Sequence, residues 1–306
     1  MGRLYLVIAF ILAGSSVIVA RFVSMYLPPF STTFFSLVFA SLTALLFGGR
    51  KMFKTAKRLS GKVWLVILLQ AIFGSFLFRV FLTAGLRHIG AAEAGIITGT
   101  TPTITALFTW VILREQFSGR TVAGILLTCA GIMILQGFPF ELSLEYMHMR
   151  GVILIVCAAA CEALFTTLSR KIHMDSQEEK LLSPLVHAGF VSILAMMLCL
   201  VPALMEQPWA AVNNLPISGW LALLWYGSIV TVVAFACMFA GAKRCNGYTI
   251  AAFSGVIPIS STFLSVIILK EPINPYQLIG CACVILATLV ISRQKAQDGQ
   301  QVKGTT

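Results

Sequence analysis

Charge is scarce in this chain. Lys, Arg, Asp and Glu make up 11% of its 306 residues, where a water-soluble domain carries about 25%. The shortage excludes a soluble surface. With 58% hydrophobic residues and a mean hydropathy of +0.92, lipid is the solvent. Acids are the scarcer sign, 11 Asp and Glu against 22 Lys and Arg. Only four histidines occur, and no HExxH motif or Ser/His pair in a recognised context is present. The eight cysteines show no zinc-type spacing. Cys157, Cys161, Cys199, Cys281 and Cys283 fall in apolar stretches, where they read as small packing residues. No metal and no cofactor is therefore expected. An intramembrane enzyme, the alternative of another class, has no motif behind it.

Long apolar runs are what the chain has in abundance. Crossing about 30 Å of hydrocarbon takes roughly 20 apolar residues. Ten such stretches occur, at about 4–26, 30–48, 63–86, 91–113, 119–138, 151–170, 181–203, 217–241, 249–269 and 274–292. Leu4–Tyr26 exceeds the short apolar core of a cleavable signal and is read as an uncleaved span. The connections are too short for a soluble domain. The net charge of +11 raises the question of nucleic acid, but its distribution answers it. With the N-terminus inside, 17 Lys and Arg fall in inside segments and 3 in outside ones, with Arg21 and Arg79 within spans. That asymmetry is the positive-inside rule. It predicts a multi-pass protein of an inner or plasma membrane with both termini cytoplasmic, and no nucleic-acid partner.

Part of the chain is written twice. Ala84–Gly124 and Ala240–Gly280 align at a constant offset of 156, which superposes Ala84, Gly85, Gly99, Pro102, Glu115 and Gly124 on Ala240, Gly241, Gly255, Pro258, Glu271 and Gly280. A weaker second register, offset 149, aligns Gly2–Phe22 with Gly151–Lys171 and implies an insertion near 173–180 in the second half. Five spans per half is an odd number, so the halves enter the membrane from opposite sides. The expected fold is an all-α membrane protein of ten transmembrane helices arranged as two inverted five-helix repeats. The division is 1–138, a linker at 139–150, 151–293, and a cytoplasmic tail at 294–306. Gly95 and Gly99 form a GxxxG pair with Ala251 and Gly255 in the matching places, a mark of close helix approach. Pro102 and Pro258 interrupt the helix ladder near mid-span and are candidate hinges. Thr98, Thr100, Thr101, Thr103 and Thr105 surround Pro102, and Ser254, Ser260, Ser261 and Thr262 surround Pro258. These hydroxyls are placed to satisfy freed backbone or to line a polar cavity.

The repeated pattern is small residues, a mid-helix Pro, a basic residue followed by Glu (Arg114-Glu115, Lys270-Glu271), then Gly nine residues on. It resembles the EamA domain of the drug/metabolite transporter superfamily. That resemblance implies a secondary active transporter with a central cavity between its halves, exporting a small metabolite such as an amino acid by alternating access. Its partners are a small-molecule substrate, the lipid bilayer and, as candidate coupling ions, protons; no oligomeric partner is read from the sequence. The same fold offers an alternative, a nucleotide-sugar or phosphate-ester antiporter, which needs fixed cations for the phosphates. Only Arg79 and Arg21 are placed to serve.

Rare polar residues inside the spans are the candidates for cargo or proton binding. Glu162 is the one acid deep in a span. A charge there costs about 2.5–3.5 kcal/mol on insertion scales, so such acids face a cavity or a partner. It reads as a cation or proton site, or else as a packing acid. Arg79 is expected to meet a substrate carboxylate or Glu93, or to snorkel; Arg21, nearer a span end, is expected to snorkel. His187 is a proton-shuttle or packing candidate, and Gln70 a hydrogen-bond donor to substrate. Trp225 and Tyr226 lie mid-span and are candidates for an aromatic wall, or for packing. Trp64, Trp209 and Trp220 read as interfacial anchors. Glu115 and Glu271 are assigned a gate or structural role, capping the start of span 5 or 10.

Overall fold

A computed structural model describes residues 2–113, 119–135, 146–173, 182–242 and 256–301. Regular structure among these residues is entirely helical, as lipid requires of backbone that must satisfy its own hydrogen bonds. Seven helices are long and apolar enough to cross a membrane: α1 (Gly2–Ser24), α2 (Pro29–Ala56), α3 (Gly61–Gly85), α4 (Ala91–Ile112), α6 (Tyr146–Leu168), α7 (Pro184–Met205) and α8 (Ile217–Met238). Three apolar helices among the described residues are shorter: the stretch Val122–Gly131 within α5 (Gly119–Leu135), α9 (Val256–Leu269), and the stretch Pro275–Ala287 within α10 (Pro275–Gln301). A five-residue helix, Trp209–Asn213, lies between α7 and α8 with Trp209 exposed.

Helix starts follow local chemistry. Pro29 and Pro184 open α2 and α7 at the first turn, where proline's missing N–H costs nothing. Ser60 opens α3, its Oγ accepting from the Val63 amide at 3.4 Å. Neither Pro28 nor Gly90 offers a side-chain cap to the helix it precedes. Carboxylates from distant helices take that place. Glu206 accepts from the amides of Phe30 (3.1 Å) and Ser31 (2.7 Å) and from the Ser31 hydroxyl (2.7 Å). Glu271 accepts from the amides of Ala91 (3.0 Å) and Ala92 (3.1 Å).

Three helices are interrupted. α4 breaks at the turn formed by Gly99 and Thr100, between Ala91–Thr98 and Thr101–Leu113. Pro102 was expected to mark a mid-span break; the turn falls just ahead of it, leaving Pro102 in the first turn of the second half-helix, where proline is tolerated. Threonines close the break: Thr98, Thr100 and Thr101 donate to the carbonyls of Gly95, Ile97 and Thr98 at 3.0, 2.7 and 2.7 Å. Pro258 is buried in α9, and residues 251–255 ahead of it, with Gly255, lie outside the described set. α3 and α8 each carry a π-helical segment, Ala71–Leu77 and Trp225–Val233, and α9 ends in another, Ser265–Leu269.

Packing pairs α2 with α7 and α5 with α10. Between those pairs, α1 packs on α8 and α9, α6 packs on α3 and α4, and α4 packs on α9. Glycines permit the closest crossings. A Cβ on Gly227 would strike the Ser36 carbonyl, and one on Gly95 the Ser261 hydroxyl. The largest apolar cluster joins α1, α3, α4 and α6 through Ile18, Leu82, Leu86, Ala91, Ala94 and Ile155. These residues sit towards one end of the bundle, where Arg21 also donates to the Leu86 carbonyl and lies 4.0 Å from Glu271. Arg21 is thus tied into the helix ends at that face. Leu46, Phe47, Leu126 and Met205 are among the large apolar side chains left exposed, as a lipid-facing surface requires.

Candidate binding cavity

A cavity of about 170 Å³ lies between α1, α3, α4, α6, α8 and α9. Much of its wall is aromatic: Phe10, Phe78, Phe165, Tyr226 and Phe235. Two charged residues line it, Glu162 and Arg79. Glu162 meets an interruption in a neighbouring helix, and Arg79 follows one in its own.

Glu162 projects from α6 towards the broken helix α4. The Thr101 hydroxyl, at the first residue of the second half-helix, lies 3.1 Å from Glu162 Oε2. A carboxylate at a helix start is favoured by the partial positive charge of the unpaired amides there. No cation among the described residues pairs with it.

Arg79 follows the π segment of α3, where the extra residue in the turn rotates the face that later residues present. It is buried, and its guanidinium is held by neutral groups. Nη1 donates to Ser36 Oγ at 2.9 Å and Nη2 donates to Thr231 Oγ1. Its Cζ lies 4.0 Å from the centroid of the Tyr226 ring, a cation–π arrangement. No carboxylate among the described residues pairs with Arg79. Glu93, its expected protein partner, lies against His148, with Oε2 at 3.2 Å from the ring Nε2.

The other sequence candidates separate into two groups. Tyr226 lines the cavity, fully buried. Trp225 does not: it is 42% exposed and donates through Nε1 to Ser15 Oγ at 3.1 Å. Adjacent residues on a helix point in different directions, so the pair cannot form one wall. The wall is built from Tyr226 and phenylalanines that sequence reasoning passed over. Gln70 and His187 meet each other, Nε2 to Oε1 at 2.6 Å, buried between α3 and α7 and not on the cavity wall. Glu271 caps α4 and not the start of span 10. Glu115 lies outside the described residues. Among the described residues no cluster of His, Cys, Asp and Glu is arranged to hold a metal.

Seven pairs of cavity residues are related by the two sequence offsets. At 149 apart stand Ala13 and Glu162, Ser16 and Phe165, Val17 and Thr166; at 156 apart stand Gly74 and Val230, Ser75 and Thr231, Phe78 and Ala234, Arg79 and Phe235. The two charges therefore occupy wall positions whose counterparts are Ala13 and Phe235.

Known proteins resemble this chain over most of its length. YetK, an uncharacterized transporter of Bacillus subtilis, is 33% identical over 296 residues, spanning 94% of this chain and 86% of that protein. YyaM, an uncharacterized transporter of the same organism, is 23% identical over 286 residues, 92% of this chain and 90% of that one. One crystal structure superposes with a TM-score of 0.62 at 21% identity, over 96% of this chain and 98% of the other, and shares the fold. The EamA-like transporter family matches residues 1–136 and again 149–293. With the family pattern present twice, and helices long and apolar enough to cross a membrane around the cavity, this chain belongs to the EamA-like transporter family.

Proposed function

We propose that the protein is a secondary active transporter that exports a small metabolite, an amino acid being the model cargo, by alternating access coupled to protons. The observation that carries this reading is the cavity wall, in which residues from matched places of two repeats surround Glu162, paired with no cation among the described residues. The repeats are 1–138 and 151–293, joined by the linker 139–150 and followed by the tail 294–306, and the two family matches support that division. The helix packing supports a two-fold relation between them, and an odd number of spans in each would make it an inverted one. Exchanging α1–α5 for α6–α10 turns α1 on α8 and α9 into α6 on α3 and α4, and leaves α2 on α7, α4 on α9 and α5 on α10 unchanged. The charge asymmetry of the loops supports an inner or plasma membrane with both termini in the cytoplasm. Glu162 carries the proton or the cationic group of the cargo, Arg79 and Tyr226 contact the cargo, and the turn ahead of Pro102 acts as a hinge. The antiporter alternative draws less support, since Arg79 is the one cation on the cavity wall among the described residues.

Proton flux into liposomes holding the purified protein, followed with a pH dye during addition of metabolite pools, tests the proposal. Some pool evokes flux in the parent, and Glu162→Gln abolishes it. Flux that survives in Glu162→Gln removes the acid from coupling. Absence of flux with every pool removes proton coupling itself.

A further inference from the structure

We propose that Arg79 and the Tyr226 hydroxyl form a receptor for one carboxylate, and that Glu162 restricts cargo to molecules bearing no second negative charge. The inference rests on the transport reading and names the class of its cargo. A guanidinium has five N–H donors. Arg79 commits two of them among the described residues, to Ser36 and Thr231. Both acceptors are already spent as donors: Ser36 Oγ donates to the Thr33 carbonyl at 2.8 Å, and Thr231 Oγ1 to the Tyr226 carbonyl at 3.0 Å. They orient the guanidinium over the Tyr226 ring and leave it without an anionic partner among the described residues. A buried charge without an opposite partner is costly, and an arginine inside a membrane protein ordinarily faces a counter-charge or a path.

The second observation is independent of Arg79. Tyr226 is 1% exposed and lines the cavity. Its hydroxyl is buried with no hydrogen-bond partner among the described residues. Buried hydroxyls are almost always satisfied. A carboxylate over Arg79 answers both deficits, accepting from the guanidinium fork and from the phenol together. Glu162 stands on the same wall with no cation among the described residues paired to it, so in its ionised form it repels a second anionic group in a poorly solvated space. At about 170 Å³ the cavity is smaller than the pockets that hold drug-sized ligands, about 300–1,000 Å³. The aromatic wall leaves the rest of the cargo an apolar surround.

Thermal stabilisation of the purified protein by pentanoate and by glutarate, matched in carbon number, tests this. Pentanoate stabilises the parent, and glutarate needs at least about tenfold more ligand for the same shift. Arg79→Gln loses the pentanoate response. Tyr226→Phe keeps the ring under Arg79, so it folds even where Arg79→Gln does not, and it weakens pentanoate about tenfold. Glu162→Gln keeps pentanoate binding and brings glutarate to within about twofold of it. The proposal is overturned if pentanoate leaves the parent unshifted, if Tyr226→Phe responds as the parent does, or if glutarate matches pentanoate in the parent. Metabolite-driven flux in liposomes that persists beside a failed pentanoate response overturns the carboxylate receptor and spares the transporter. A pentanoate response lost in Tyr226→Phe, with no flux from any pool, does the reverse.

Discussion

Glu206 and Glu271 each lend a carboxylate to a helix start that has no capping side chain of its own. Hydrogen bonds to a charged group are worth about 1.5–3 kcal/mol, and each carboxylate receives at least two. Glu271→Ala and Glu206→Ala are each expected to lower the melting temperature in detergent. Glu271→Gln and Glu206→Gln are expected to lower it less, because the amide oxygen still accepts while the charge is gone. Equal melting of the Ala and Gln variants would assign the whole effect to charge. Of the two acids, only Glu271 was legible in sequence, because the repeat marks it. Its partner was not, since Ala91 and Ala92 are 180 and 179 residues away and carry no polar side chain. Glu206 follows a span end with no motif around it. Arg79 and Glu162 were legible for the opposite reason: a charge inside an apolar run is visible against its surroundings.

At the scale of helices, glycine decides how closely two of them cross. Gly227 stands where a Cβ meets backbone, the Ser36 carbonyl and the Ala40 amide, which cannot swing aside as a side chain does. Gly227→Ala is expected to push α8 off α2 and to release Arg79, whose Ser36 and Thr231 anchors belong to those two helices. Gel filtration in detergent and melting temperature report it, as loss of a single sharp species. Gly61→Ala is the control. Nothing lies within 4 Å of the added Cβ at the start of α3, and the change is expected to leave stability unchanged or raise it by up to about 1 kcal/mol, read as an unchanged or higher melting temperature. Spans were legible from apolar length, and the break in α4 was legible to within a turn from Pro102. The π segments of α3 and α8 were not, because Ala71–Leu77 and Trp225–Val233 contain no proline and read as unbroken apolar helix.

Across the whole molecule, the cavity lies against the large apolar cluster, with Val17, Tyr226 and Val230 common to both. Ala9, Phe10 and Ala13 line the cavity from the second turn of α1 to its middle, while Leu86, Ile89 and Ala91 pack at the adjoining ends of α3 and α4, beneath the Glu271 and Arg21 contacts. The phenylalanines of the wall were not legible from the sequence, since in lipid an apolar side chain facing a cavity and one facing the bilayer have the same composition. Under the proposed alternating access, exchange of conformation between the two repeats closes the cavity on one side and opens it on the other. Ala13→Cys is therefore expected to react with a membrane-impermeant maleimide from the side bearing the termini, in excess of the native cysteines, and Ile89→Cys to stay shielded. Removing the Glu271 carboxylate destabilises the sealed end only while it is sealed. Every 1.4 kcal/mol or so lost there shifts the balance about tenfold towards the state open on that side. Glu271→Ala should thus expose Ile89→Cys to reagent from the side opposite the termini and slow the labelling of Ala13→Cys. Unchanged labelling of both positions would mean that the apolar cluster alone closes that end, and that the Glu271 contacts stabilise α4 without gating it.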